Sequence, residues 1–208
     1  MSDTKTKLMD GAIAAIKEHG IAGASARAIA TSAGVNQALV FYHFGTVDEL
    51  LTAACQRATA ERVETYAERF AGVTSLRGLL AVGRQLHDEE QELGNVTLLA
   101  QLLAGARTNP VLAAACAQSL KMWSASIEAV LTRVLTGSPF ADLADIGGLS
   151  RAISAAFLGL ELYEGVDPAG AAQALDALDQ LGILMEVVDE LSPMAKKLVR
   201  SRLRKATR

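Results

Sequence analysis

The chemistry on offer between Ser25 and Leu50 is hydrogen bonding. Asn36, Gln37, Tyr42, His43 and Thr46 fall close together there, and no Lys or Arg lies between Ala28 and Val47. A side-chain amide such as Gln37 can pair in bidentate fashion with adenine, while Ala38 and Leu39 can touch thymine methyls. Tyr42 and His43 can donate to phosphates, contacts that fix position while base contacts supply specificity. The other reactive groups are dispersed. His19, His43 and His87 are scattered along the chain, beside no nucleophile and in no metal-ligand cluster. No catalytic residue, cofactor or metal is expected.

Groups of this kind read a duplex only when helices hold them. Ser25 can cap a short helix, Ala26–Ala33, that Gly34 closes, and Asn36 can cap the next, ending near His43–Phe44. A reading helix lies in the major groove while the preceding helix braces it at a steep angle. That demands a small residue at the turn and apolar contacts that lock the pair. Ala30, Ala33, Gly34, Val35 and Val40 suit those roles. Thr46 stands three residues before Glu49, a capping box that opens a fourth helix running to about Phe70. The start of that helix offers backbone N–H groups to a phosphate. Ahead of the pair, Leu8, Met9, Ala12, Ile13 and Ile16 share one face of a first helix, about Thr4 to His19, before Gly20. A purely structural helical hairpin has the same spacing, so periodicity leaves both readings open.

The rest of the chain agrees with an all-α fold. Half of its 208 residues are hydrophobic but only 4% aromatic, so Ala, Leu, Val and Ile must build the core, and four prolines are too few to punctuate many strands. Longer helices are expected over Ser75–Leu93, Val96–Ala106, Pro110–Thr136, Asp142–Gly165 and Pro168–Leu191. The expected division is an N-terminal three-helix helix-turn-helix module over 1–50, joined through the long fourth helix to a larger helical domain over 51–208. The net charge of −3 hides an asymmetry: 196–208 carries only basic charges, and the acidic excess lies in 49–195. Local charge matters more than the sum, so a nucleic-acid partner is not excluded. Cys55 and Cys116 read as buried thiols of a reducing compartment. The N-terminus lacks the pattern of a signal peptide. The longest uncharged stretch, Ala28–Val47, is broken by Gly34, Asn36, Gln37 and Gly45, so no membrane span is expected and the location read is cytoplasmic.

The run RAIATSAGVNQALVFYHFGTVDEL, from Arg27 to Leu50, closely resembles the N-terminal module of the TetR (tetracycline repressor) family. The matching elements are R-x-I-A-x-x-A-G-V, an aromatic-aromatic-His-Phe cluster, and a short turn with an acidic pair before Leu; the resemblance covers about residues 5–55. It implies that Gln37 and Leu39 contact bases, with Asn36 and Ala38 on the same face. Tyr42, His43, the Thr46 amide and Arg27 are then expected to contact the phosphate backbone. Phe41 and Val47 depart from the family's usual Tyr and Lys, removing one hydroxyl and one cation. With Arg27, Lys5 and Lys7 as the well-placed cations, the salt dependence of binding should be modest, with a slope of roughly −0.9 per phosphate neutralised.

The resemblance also implies a homodimer built from the last two long helices. Ile153, Ala156, Phe157, Leu160 and Tyr163 form one apolar stripe there, and Leu175, Leu178, Leu181, Leu184, Met185 and Val188 another. Phe157, Leu160, Leu178, Leu181 and Met185 are the interface residues expected. A small-molecule effector would be taken among the middle helices, with Phe70, His87, Gln101, Met122 and Trp123 as candidates. His87 adjoins Asp88, Glu89 and Glu90, so a solvated helix face is its plainer reading, and Trp123 either lines a cavity or fills core. Met194, Ala195, Leu198, Val199 and Leu203 give the C-terminal tail one apolar face and leave a basic outer one. The expected function is a sequence-specific regulator, a dimeric repressor that a small molecule releases from double-stranded operator DNA. The competing expectation is a ligand-binding carrier or sensor without DNA binding.

Overall fold

The computed structural model describes residues 3–136, 138 and 145–206, with the backbone alone for Met185, Val188, Asp189, Arg200 and 203–206. Among the described residues there are helices and no strands. They are α1 (Asp3–Gly23), α2 (Ala26–Ala33), α3 (Ala38–Phe44), α4 (Val47–Gly72), α5 (Leu76–Glu92), α6 (Asn95–Ala106), α7 (Pro110–Leu135), α8 (Ile146–Glu164), α9 (Pro168–Asp189) and α10 (Pro193–Ala206). The all-α expectation holds, with element ends within a few residues of those read from the sequence. Asp142, the expected start of the eighth helix, lies outside the described residues; Asp145 caps α8, accepting the Gly148 N–H at 2.9 Å. None of the described helices is long and apolar enough to cross a membrane.

The described residues pack as two compact units, Met1–Glu64 with Glu90–Met122, and Thr65–Glu89 with Trp123–Arg208. The first is built on α1. Leu8, Ala12, Ala15 and Ile16 are buried against Ile29, Val40, Leu50, Leu51 and Ala54, and Leu98, Leu102 and Leu112 of α6 and α7 join the same core. Each fully buried aliphatic side chain of this set stabilises the unit by about 1.5–3 kcal/mol. At Gly11 a Cβ would meet the Ala33 Cβ at 2.7 Å and the Ile29 carbonyl at 2.8 Å, so α1 and α2 cross only because that position has no side chain. Polar ties complete the unit. Lys17 donates to the Leu93 carbonyl at 2.7 Å and Asn95 Oδ1 at 2.9 Å, and Arg57 pairs with Asp10. Partial burial pulls the Lys17 pKa down, with Glu90 opposing that effect and Arg62 adding to it.

The second unit has its own core of Tyr66, Phe70, Val73, Leu79, Leu86, Ile127, Val130, Leu131 and Leu135. Arg133 closes it by donating to the Phe70 carbonyl at 2.7 Å and the Val73 carbonyl at 3.0 Å, which satisfies acceptors that the end of α4 leaves open. His87 corrects the sequence reading. It is 3% exposed, not on a solvated face. Its Nδ1 lies 2.6 Å from Glu161 Oε1 and its Nε2 2.8 Å from Glu164 Oε2, so two carboxylates of α8 grip the ring from opposite edges. One oxygen or nitrogen from each of the three residues lies within 4.8 Å of the other two. Both ring nitrogens are already engaged by carboxylate oxygens of α8.

Candidate nucleic-acid interface

The reading helix is positioned from below. Ser25 Oγ accepts the Ala28 N–H at 3.2 Å and starts α2. Gly34, in the left-handed region at φ 64°, ends it, with its N–H on the Thr31 carbonyl and the Val35 N–H on the Ala30 carbonyl. Asn36 then initiates α3, its Oδ1 accepting the Ala38 N–H at 2.8 Å. Val40 is fully buried, and Leu39, Val35 and Phe44 pack against the core. That anchoring turns Gln37, Ala38, Phe41 and Tyr42 outward, residues at i, i+1, i+4 and i+5 on one helical face.

The expected contact residues therefore separate by role. Gln37 is exposed and makes no capping hydrogen bond, and Ala38 is exposed beside it. Asn36 is exposed but spends its carbonyl oxygen on the helix start. Leu39 is half-buried against the core, which leaves only part of it for a thymine methyl. Tyr42 is 80% exposed and stands edge-on to the half-buried His43, ring centroids 4.9 Å apart. Arg27 is exposed in the first turn of α2. Sequence reasoning passed over Phe41, which is 50% exposed next to Tyr42. The 3.6-residue period with Val40 inside was signal enough to find it.

The start of α4 carries the expected capping box in full. The Glu49 N–H donates to Thr46 Oγ1 at 3.1 Å, and Glu49 Oε2 accepts the Thr46 N–H at 3.1 Å. Thr46 Oγ1 lies a further 3.2 Å from the same carboxylate oxygen. Gly45 makes this geometry accessible: its φ is 78°, and a Cβ there would fall 2.6 Å from Glu49 Oε2. The Thr46 amide is thus held by an internal carboxylate. Of the outlying cations, Lys7 pairs with Asp3 at 2.6 Å and Lys5 sits over the Phe44 ring at 5.9 Å.

The candidates further along the chain fall in both units. Gln101 accepts the Ile21 N–H at 3.4 Å and Met122 lines an open hollow, both in the first unit. Phe70, His87 and Trp123 belong to the second, where Trp123 packs between Tyr66 and Phe70 at ring separations of 6.0 and 6.5 Å. Trp123 there contributes core volume, and His87 is committed to the triad. Of the dimer residues, Phe157 packs inward, edge-on to His87 at 6.3 Å, and Leu160 is half-buried. Leu178 and Leu181 are exposed, and the side chain of Met185 lies outside the described residues.

Residues 8–54 match the family described as bacterial regulatory proteins, tetR family. The chain is 26% identical over 110 residues to the HTH-type transcriptional repressor AcnR of Corynebacterium glutamicum, covering 53% of this chain and 54% of that one. It thus spans about half the length of that curated relative. The fold likeness extends further. A transcriptional regulator from Rhodococcus sp. Rha1 superposes with a TM-score of 0.66 at 25% identity over 88% of this chain and 97% of that one. The multidrug binding protein EbrR, solved with proflavin, does so with a TM-score of 0.57 at 24% identity over 85% and 99%. Residues 8–54 thus carry the N-terminal module of the bacterial regulatory proteins, tetR family.

Proposed function

We propose that this protein is a dimeric transcriptional repressor that binds a palindromic operator through α3 and releases it when a small molecule binds. The observation that carries the reading is the outward face of α3, where Gln37, Ala38, Phe41 and Tyr42 are presented by a helix whose other side is locked into the core. Residues 1–50 serve as the DNA-binding domain and 51–208 take the effector and the second subunit. Gln37 reads a base edge, while Arg27, Tyr42, His43 and the start of α4 hold phosphates. Repression, rather than activation, is supported by the AcnR likeness, and a small-molecule effector by the fold shared with a protein that binds proflavin.

A second copy supplies the other half-site, because one such module buries too little surface for tight specific binding. Apolar side chains left in solvent on α8 and α9 support that copy as their cover: Leu162, Tyr163, Leu178, Leu181, Leu184 and Val187. Selection of bound sites from a random DNA pool at two salt concentrations tests the reading. A two-fold symmetric site should emerge at both, with affinity falling modestly between them. A pool that enriches no sequence would sink the proposal.

A further inference from the structure

Cys55 and Cys116 are far apart in sequence but meet in the core of the first unit. Each is 4% exposed, Cys55 on α4 and Cys116 on α7, and both are free thiols. Their side chains lie within hydrogen-bonding reach of one another. Ser119, one turn beyond Cys116, brings its Oγ to 3.5 Å from the Cys55 sulfur. The pair is asymmetric. The hydrogen bond from Cys116 draws the Cys55 thiol down to about 6 against the opposing effect of burial, with Ser119 and Thr59 assisting. Cys116, which gives that hydrogen bond and is itself buried, is pushed up.

We propose that Cys55 and Cys116 form a reversible intrachain disulfide on exposure to hydroperoxides, Cys55 attacking and Cys116 resolving. The Cys55 sulfur attacks the terminal oxygen of the hydroperoxide; a sulfur–oxygen bond forms, the oxygen–oxygen bond breaks, and the alkoxide leaves with the Cys55 proton as an alcohol. The Cys116 sulfur then attacks the sulfenic acid. The disulfide forms, the sulfur–oxygen bond breaks, and hydroxide leaves with the Cys116 proton as water. Two electrons pass from the thiols to the peroxide bond. An open hollow between α4 and α7, walled by Thr52, Gln56, Ala115 and Gln118 among others, adjoins the chain neighbours of both cysteines and gives a small peroxide its approach. A disulfide holds its sulfurs about 2.05 Å apart, closer than two hydrogen-bonded thiols, so the reaction draws α4 toward α7. On the proposed function, α4 leads out of the reading module, and this movement changes operator affinity.

Intact mass and peptide mapping after a stoichiometric dose of hydrogen peroxide test the chemistry. The expected result is a 2 Da loss, a linked peptide pair containing Cys55 and Cys116, and full reversal by dithiothreitol. The Cys116→Ser variant should accumulate a dimedone-trappable sulfenic acid at Cys55, whereas Cys55→Ser should leave Cys116 unmodified at that dose. Two thiols still open to alkylation in denaturant, links only between chains, or Cys116 modified first would each overturn the assignment. Regulation is read separately, as a change of about fivefold or more in operator affinity between reduced and oxidised protein. Equal affinities would overturn the regulatory half. Failure of the reduced protein to shift any DNA would sink the proposed function instead, and the mapping would stand apart from it.

Discussion

α3 and α9 both leave large side chains in water, but of opposite chemical kinds. On α3 the exposed set is Gln37, Ala38, Phe41 and Tyr42, a face that mixes amide, methyl, ring and hydroxyl. On α9 it includes Leu178, Leu181, Ile183, Leu184 and Val187, with Leu184 61% exposed. A solvated mixed face needs less cover and acquires its role through shape and hydrogen bonding. A solvated aliphatic face stays unfavourable until another surface covers it. On the proposed function the difference gives the two helices distinct occupants, a duplex that is read and a surface that is buried.

The sharpest way to break that comparison is to charge the aliphatic face. Leu181→Arg with Leu184→Arg should halve the mass measured by light scattering and weaken operator binding on the order of 100-fold, since each module would then bind alone. A dimer that persists would show that α9 is not the contact. Comparable in size is His87→Ala, which removes the ring held between the Glu161 and Glu164 carboxylates. It should cost about 3 kcal/mol in urea unfolding. A loss under 1 kcal/mol would mean that the triad is not an energetic anchor of its unit.

Gln37→Ala tests the polar face. It should relax preference at one base position by about 1–3 kcal/mol while leaving the others intact, as read from a selected-site profile. An unchanged profile would remove Gln37 from base readout. The smallest expected effect is Tyr42→Phe, a uniform loss of about 0.5–1.5 kcal/mol across all sequences. A loss confined to particular bases would transfer Tyr42 from the phosphates to the groove.

Local chemistry was the legible part. Ser25, Gly34 and the Thr46–Glu49 box mark helix ends through contacts within five residues of themselves, so their spacing is visible along the chain. Features that depend on distant partners were not. His87 looked solvated beside Asp88, Glu89 and Glu90, yet what decides its burial is a pair of glutamates 74 and 77 residues further along the chain. Cys55 and Cys116 read from the sequence only as buried thiols, because they stand 61 residues apart in the chain and only the fold brings them together. Gln101, proposed for a ligand, is taken up by the backbone where α1 breaks at Gly20, with a φ of 70°. Leu39 shows a subtler mixture. Its place on a short helix allowed either face, and the core claimed most of it.

The capping box has one more consequence. The Glu49 carboxylate occupies the amide of Thr46, where a phosphate is expected to dock, so operator binding at that point is an exchange of one anion for another. An incoming backbone must displace a tethered competitor that is always present at high local concentration. Loosely fitting DNA, which offers its phosphates in no fixed register, loses that competition more often than a well-fitting site. On the proposed function, and with Val47 in place of a cation beside it, Glu49 would act as a filter against non-specific duplex without touching a base.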